Sequence, residues 1–157
     1  VLLKETEKKG LEREGVSLQT LAEVALRING MCVERLHAEG GTGGGFSEAE
    51  FRKAIIAATS GDAMGTSGVR KVMLLNFGRP SLGQTGSGHF SPIAAWHPAS
   101  DMALVLDTAR FKYPAFWAPV DTLFQSCATL DQDTDMGRGF LLLSQANKQE
   151  HEDGTEY

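Results

Sequence analysis

Three apolar, strand-like runs follow one another in the middle of the chain, at residues 69–77, 89–96 and 102–107, with only short turns between them. Two helix-like segments come before these runs. This order of elements favours an α+β domain with a mostly antiparallel sheet and flanking helices. Alternating β-α-β units, which are typical of a parallel sheet, are not evident.

Local signals define the helices and the remaining segments. Ser17 is a good N-cap for an amphipathic run with apolar residues at helical spacing. Ser47 and Glu50 have the spacing of a capping box, and Phe46 and Phe51 are placed for a hydrophobic staple. The predicted segments are helices at 17–29, 47–59 and 120–129, further strands at 31–36 and 139–144, and loops at 40–45, 60–68 and 114–119.

Composition limits the classes of function. The chain has 157 residues, 41% of them hydrophobic, and a net charge of −5, which fits one domain with a core. Basic residues are scattered, so we expect no nucleic-acid binding, and no apolar run approaches the roughly 20 residues that cross a bilayer. Cys32 and Cys127 form no spaced motif, which argues against a disulfide scaffold or a four-ligand zinc site. Two lone cysteines fit a reducing compartment, and the predicted location is cytoplasmic.

His89 and Asp107 form a candidate acid–base pair. If the turn between their strands is centred on Ala99, Ser91 faces Asp107, and His89 becomes the diagonal neighbour of Asp107 on one face. Because side chains alternate along a strand, this arrangement requires a loop of three or five residues. An imidazole can take a proton from a thiol, and a carboxylate can orient that imidazole. Two unrelated residues at strand ends are the alternative.

Two long and unusual segments carry a family resemblance: QTGSGHFSPI at residues 84–93 and DMALVLDTARFKYP at residues 101–114. They closely resemble phytochelatin synthases, and the similarity continues to residues 138–144. The resemblance implies a partial papain-like fold and an acyltransferase that makes (γ-Glu-Cys)n-Gly peptides from glutathione through a cysteine acyl-enzyme, in heavy-metal detoxification. It also implies that residues 1–144 are the C-terminal part of a catalytic domain, followed by a polar, disordered tail at 145–157.

The same resemblance implies roles for six residues. An arginine suits a substrate carboxylate because its fork can bond both oxygens. For Arg110, a buried ion pair with Asp107 is an equally open alternative. The implied roles are His89 and Asp107 as the catalytic pair, Asp131 and Arg138 as the holders of the γ-glutamyl end, and Arg110 and Tyr113 as residues that border the site.

The sequence departs from the family pattern in two ways. Ala94-Ala95-Trp96 stands where the family commonly has Gly-Gly-Tyr. No segment resembles the family's nucleophilic cysteine, which opens a helix well before the histidine. Cys32 lies in a predicted strand, and Cys127 follows the aspartate in the wrong chain order. We therefore expect these 157 residues to be a fragment that is inactive on its own.

The resemblance also implies partners and alternatives. No tightly bound cofactor and no metal site are expected; cadmium or zinc would activate the enzyme largely as glutathione thiolates. The predicted partners are glutathione and its metal thiolates, and a homodimer is the assembly that the resemblance suggests. Two rival functions stay open: a glutathione hydrolase of the same fold that releases glycine, and a non-catalytic papain-like remnant.

Overall fold

A computed structural model describes residues 9, 15–28, 30–38, 45–60 and 70–145, and these form three α-helices and eight strands. The helices are α1 (Leu18–Leu26), α2 (Glu48–Thr59) and α3 (Val120–Cys127), and a 3-10 turn covers Arg79–Leu82. The strands are β1 (Met31–His37), β2 (Lys71–Gly78), β3 (Gly88–His97), β4 (Met102–Val105), β5 (Phe116–Pro119), β6 (Leu130–Asp131), β7 (Met136–Gly137) and β8 (Gly139–Gln145).

Six of the strands form one sheet in the order β1-β8-β2-β3-β4-β5, and every neighbouring pair in it is antiparallel. The two short strands β6 and β7 pair as a separate ribbon. The predicted α+β class with a mostly antiparallel sheet is confirmed. The arrangement is consistent with the partial papain-like fold that the resemblance implies.

The starts of α1 and α2 follow the predicted capping chemistry. The Ser17 hydroxyl accepts a hydrogen bond from the backbone N–H of Thr20 at 3.1 Å. Ser47 and Glu50 form the full capping box, in which the Glu50 carboxylate accepts the Ser47 backbone N–H at 2.8 Å. These bonds satisfy donors that a helix N-terminus otherwise leaves unpaired, so local sequence is sufficient to place both helix starts.

Helices cover both faces of the sheet. On one face, α2 and α3 bury Phe51, Ile55 and Leu123 against strand residues that include Phe140. Phe46 stacks on Phe51 with ring centroids 5.7 Å apart, as the predicted staple requires. On the other face, α1 packs against β8 through a smaller cluster. The larger cluster is the main core of the domain, because burying each large apolar side chain contributes about 1.5–3 kcal/mol.

Two local predictions are wrong, and one element was not predicted. The segment predicted as a loop at 114–119 contains β5, which is an edge strand among the described residues, pairs with β4, and ends at Pro119, where a missing N–H is tolerated. The β6–β7 ribbon was not predicted because its two-residue strands are too short to show alternation. The strand predicted at 102–107 ends at Val105, which leaves Asp107 just beyond β4.

Some predicted segments fall outside the described residues. They include most of the loop at 40–45, the loop at 61–68, and the tail from residue 146 onward. The first residue of the predicted tail, Gln145, is instead the last residue of β8.

Candidate active site

The loop between β3 and β4 has four residues, because His97 pairs with Met102. Side-chain alternation would place Asp107 on the face opposite His89 after such an even-numbered loop. The predicted requirement for three or five loop residues is therefore wrong, although the two side chains do meet.

A β-bulge in β3 restores the register that the loop alone would have lost. Ala95 pairs with Leu104, whereas Ile93 pairs with Val105, so Ala94 is an extra residue on β3. One extra residue shifts the pairing by one position, and His89 and Asp107 come to share a face. Ala94 has no positive φ, which explains why alanine fits where the family commonly has glycine.

Side chains from α2 and β3 hold the turn that follows. The Asp101 carboxylate accepts hydrogen bonds from Arg52 Nε at 2.9 Å and from the Trp96 indole N–H at 3.0 Å. Asp101 itself has a φ of 47°, a left-handed conformation that aspartate tolerates better than most residues. The tryptophan that replaces the family's tyrosine is thus a structural donor at the turn.

The His89 ring meets two acceptors through one nitrogen. Its Nε2 atom lies 3.0 Å from Asp107 Oδ1 and 3.0 Å from Thr108 Oγ1. The Thr108 hydroxyl donates its single proton to the Phe90 carbonyl at 2.8 Å, so it accepts from His89. These contacts keep the proton of the neutral ring on Nε2 and leave the Nδ1 lone pair available as a base.

The Asp107 carboxylate is fully buried and is held by several donors. Arg79 donates Nη1 to Oδ2 at 2.9 Å and Nη2 to Oδ1 at 3.0 Å, and the Ala109 backbone N–H donates to Oδ1 at 2.8 Å. Burial alone would raise the pKa of Asp107, but the bonds from Arg79 and Ala109 and the nearby positive charge lower it below its ordinary value. Asp107 is therefore a fixed anion at neutral pH.

The surroundings of His89 favour its neutral form. Burial is the largest cause that lowers the pKa of His89, and the positive charge of Arg79 lowers it further, against the opposing effect of Asp107. A neutral imidazole with a free lone pair is the protonation state of a general base.

Asp131 and Arg138 lie next to this pair, as a second cluster. Arg138 Nη1 lies 3.5 Å from Asp131 Oδ2 and 3.3 Å from Asn76 Oδ1. The guanidinium packs over Gly88, where an added Cβ would lie only 1.9 Å from Nη1. Because Gly88 precedes His89 in β3, Arg138 packs against the strand position next to His89, and both side chains line one groove.

One groove joins the two clusters. It has a volume of about 390 Å³, and none of the described residues that line it is a cysteine. Two buried donors at the groove, Arg138 Nε and Asn76 Nδ2, have no hydrogen-bond partner among the described residues. A smaller cavity of about 180 Å³ adjoins it and shares Asn76 and Asp131. The lining of the main groove includes Asn76, Ser87, Gly88, His89, Phe90, Thr108, Asp131, Gln132, Asp133 and Arg138.

Arg110 and Tyr113 lie away from the lining of the groove. Arg110 is exposed, and the alternative that it forms an ion pair with Asp107 is wrong because Arg79 takes that place. The Tyr113 hydroxyl accepts the Thr85 backbone N–H at 2.8 Å, and the Tyr113 ring lies 4.8 Å from the Arg79 guanidinium. The substrate-binding roles of Arg110 and Tyr113 stay predictions.

Neither cysteine is positioned as the partner of His89. Cys32 is exposed on the edge strand β1, and Cys127 is buried in the main core, where burial raises the pKa of its thiol far above the ordinary value. Both are free thiols. A buried, protonated thiol is inert as a nucleophile.

Sequence reasoning missed three residues of the site: Arg79, Asn76 and Thr108. Asp107 comes at the end of an apolar run, so a cation was expected to pair with it. Arg110 and Lys112 are closer to Asp107 in sequence than Arg79, so the sequence did not select Arg79 as the partner. Asn76 carried a usable signal, because an amide at the end of an apolar strand indicates a buried polar group.

Two kinds of feature are absent from the described residues. Within them, no helix combines the length and the apolar character that crossing a membrane requires. In the same part of the chain, no three His, Cys, Asp or Glu side chains come together as a metal site.

Comparisons with known proteins agree with the sequence motifs. The family model for phytochelatin synthase matches residues 1–140. Glutathione gamma-glutamylcysteinyltransferase 2 of Arabidopsis thaliana is 39% identical over 100 residues, which cover 64% of this chain and 21% of the relative. Glutathione gamma-glutamylcysteinyltransferase 1 of Lotus japonicus is 34% identical over 139 residues, 88% of this chain and 25% of the relative.

A fungal relative extends the similarity beyond plants. The glutathione gamma-glutamylcysteinyltransferase of Schizosaccharomyces pombe is 32% identical over 137 residues, which cover 85% of this chain and 29% of the relative. The chain thus spans less than a third of the length of each of these relatives. Since the family model covers most of the sequence, the chain belongs to the phytochelatin synthase family.

Proposed function

We propose that this chain supplies the acid–base pair and the γ-glutamyl-binding side of an enzyme that transfers γ-Glu-Cys from glutathione to another glutathione or to a phytochelatin. The observation that carries the proposal is the 3.0 Å contact of His89 with Asp107 in a groove that also holds Arg138 and Asp131. The names of the relatives describe the same reaction.

The first half-reaction forms an acyl-enzyme. A cysteine thiol outside the described residues gives its proton to His89 Nδ1, and its sulfur attacks the carbonyl carbon of the Cys-Gly bond of glutathione. When the tetrahedral intermediate collapses, the C–N bond breaks and His89 returns the proton to the departing glycine amine. A γ-Glu-Cys thioester and a neutral His89 remain.

The second half-reaction lengthens the acceptor. The amine of a second glutathione attacks the thioester carbon and gives a proton to His89, the C–S bond breaks, and the sulfur leaves and takes that proton back. Cadmium and zinc prefer thiolate ligands, so they enter as part of the acceptor, the metal thiolate of glutathione. The proposal requires no tightly bound cofactor.

The charges around Arg138 suit the γ-glutamyl end of the donor. This end carries an α-carboxylate and an α-ammonium side by side, which Arg138 and Asp131 complement. Arg138 Nε and Asn76 Nδ2 are buried donors without a partner in the part of the chain that the structure describes, and a substrate carboxylate would satisfy them. Asp107 does not touch the substrate in this scheme and acts by orienting His89.

Location and assembly extend the proposal. Free Cys32 and Cys127 and a glutathione substrate support a cytoplasmic reaction. A homodimer stays a prediction from the family resemblance.

Product analysis tests the proposal. The product of the complete reading frame is incubated with glutathione and cadmium, and the products are separated by liquid chromatography with mass detection. We expect free glycine and γ-Glu-Cys chains longer than glutathione, which disappear in His89→Ala and persist in the control His97→Ala at the exposed turn. Glycine with γ-Glu-Cys alone would indicate a hydrolase, and no turnover would indicate a non-catalytic protein; both results contradict the transferase.

The source of the nucleophile has a separate test. We expect the 157 residues alone to leave glutathione unchanged, because neither Cys32 nor Cys127 lines the groove. Turnover of glutathione by this chain that is lost in Cys32→Ala or Cys127→Ala would overturn the hypothesis that the nucleophile lies outside these residues.

A further inference from the structure

Arg79 is a buried cation that the proposed reaction does not use directly. It follows β2, at the start of the 3-10 turn, and only 4% of its side chain is exposed. A cation buried to this degree is costly unless it is paired and hydrogen-bonded. The groups that pair with the Arg79 guanidinium therefore indicate its role.

Arg79 pairs with the Asp107 carboxylate. Two parallel N–H···O bonds of 2.9 and 3.0 Å engage both carboxylate oxygens, a geometry that the planar guanidinium of arginine provides and the point charge of lysine does not. With both oxygens held, the carboxylate cannot rotate away from His89.

Arg79 is itself held in a cage. Its Nη1 atom also donates to the Gln84 side-chain oxygen, and the guanidinium lies 4.8 Å from the centroid of the Tyr113 ring and 5.7 Å from that of Phe77. The Tyr113 hydroxyl accepts the Thr85 backbone N–H in the same loop. The Gly-rich turn before His89 is thus built around the guanidinium.

The charges that face His89 nearly balance. Asp107 is the closest anion, Arg79 binds that anion from the far side, and Lys112 adds a more distant positive charge. Across the groove lie Asp131, Asp133 and Arg138. An isolated carboxylate at 3.0 Å would favour the imidazolium, but a carboxylate already neutralised by a guanidinium acts on the ring as a dipole.

We infer that Arg79 is a positioning residue for His89: it fixes the Asp107 carboxylate and cancels its charge, so that His89 rests neutral with Nδ1 free. This inference rests on the proposed role of His89 as the base. Under it, the site begins its cycle as a thiol beside a neutral imidazole rather than as a stable thiolate–imidazolium pair. Asp107 then supplies orientation and only limited charge stabilisation.

Nuclear magnetic resonance of the 157-residue chain tests the inference without any turnover. The His89 ring signals, assigned through His89→Gln, are followed against pH, and ¹⁵N shifts report which nitrogen carries the proton. We expect the wild-type ring to be neutral at pH 7 with the proton on Nε2. A ring that is charged at pH 7, or protonated on Nδ1 in its neutral form, would overturn the inference.

Variants separate positioning from a purely structural role. In Arg79→Gln the charge of Asp107 is no longer cancelled, and we expect the His89 titration midpoint to rise by about one unit or more. Arg79→Lys keeps the charge and should keep the midpoint near that of the wild type, with looser ring orientation. The control Arg52→Gln removes another carboxylate-paired arginine and should leave the midpoint unchanged.

A double variant guards against loss of folding. Arg79→Gln with Asp107→Asn removes both buried charges, so it should fold even where Arg79→Gln does not, and its His89 midpoint should return below that of the single variant. An unchanged midpoint in folded Arg79→Gln, or a double-variant midpoint above that of the wild type, would contradict the inference. Failure of the transferase assay with these titrations intact would overturn the proposed function alone.

Discussion

The charged pairs on the two sides of the groove differ in burial and in how completely they are hydrogen-bonded. On the His89 side, Arg79 and Asp107 are 4% and 0% exposed, and both carboxylate oxygens are bonded at 3.0 Å or less. On the other side, Arg138 and Asp131 are 10% and 11% exposed and lie 3.5 Å apart, and none of the described residues bonds to Arg138 Nε. The Asp107 carboxylate is thus fully bonded without substrate, whereas Arg138 Nε and Asn76 Nδ2 are buried donors with no partner among the described residues.

This difference separates chemistry from binding. A fixed imidazole and carboxylate need no reorganisation when the reaction begins. A buried unsatisfied donor costs about 1–3 kcal/mol, a cost that a substrate carboxylate would remove. Changes on the His89 side should therefore affect stability and kcat, and changes on the Arg138 side should affect KM.

The largest expected effect is on stability at Asp107. Asp107→Ala leaves Arg79 as a buried cation without its partner, and we expect a loss of about 3–5 kcal/mol in the free energy of unfolding. The matched change Asp131→Ala should cost about 1 kcal/mol, because Arg138 keeps its bond to Asn76. Urea unfolding of both variants measures these changes in the free energy of unfolding, and equal decreases would contradict the difference between the two sides.

Gly88→Ala sharpens the contrast on the binding side. The new Cβ would lie 1.9 Å from Arg138 Nη1, and the tip of a long side chain can move aside. We expect the KM for glutathione in the complete enzyme to rise about tenfold, equivalent to about 1.4 kcal/mol, with little change in kcat. The comparison variant Gly139→Ala meets the backbone oxygen of Leu36 at 2.0 Å and should instead lower stability; a KM effect confined to Gly139→Ala would contradict this account.

Acid should weaken the fold through the His89 side. The pKa of His89 is lowered chiefly by burial, and that of Asp107 is lowered by its bonds in spite of burial. The unfolded chain therefore binds more protons than the folded chain, and the free energy of unfolding decreases as the pH is lowered. The His89 part of the loss begins below about pH 6.5, and the Asp107 part begins below about pH 3.9. Urea midpoints between about pH 8 and pH 5 should fall less in His89→Gln than in the wild type or in the control His97→Gln. The same slope in all three would show that another group is responsible.

The smallest effect is expected at Thr108. Thr108→Val removes one of two acceptors for His89 Nε2–H, but Asp107 remains within 3.0 Å. We expect kcat to fall a few-fold, with KM unchanged, relative to the control Thr122→Val on α3. A loss as large as that of His89→Ala would mean that Thr108, rather than Asp107, orients the ring.

Sequence reasoning reached His89 and Asp107 by a partly wrong route. Alternation along strands allowed the two side chains to share a face only if the loop between the strands was odd. The loop is even, and the bulge at Ala94 supplies the missing shift. A bulge without glycine or positive φ leaves no mark in one sequence, so no pattern could have revealed it.

Contacts between residues far apart in the sequence were the second kind of feature that could not be predicted. Helix caps at Ser17 and Ser47 were predictable because their partners lie within three residues. Arg79 meets Asp107 across 28 residues, and no spacing rule selects it over nearer cations. Asp131 and Arg138 came from the family resemblance alone, because the two-residue strands β6 and β7 that contain or adjoin them are too short to show a pattern.

The division between the two sides can be measured directly by acylation of the complete enzyme. Mass spectrometry follows the γ-Glu-Cys adduct formed from glutathione in the wild type, in His89→Gln and in Arg138→Gln. We predict that His89→Gln forms no adduct at any glutathione concentration, although its Arg79–Asp107 pair and its fold persist. Arg138→Gln should reach the wild-type maximum rate only at much higher glutathione. Rapid acylation in His89→Gln, or a loss in Arg138→Gln that no concentration restores, would contradict the account.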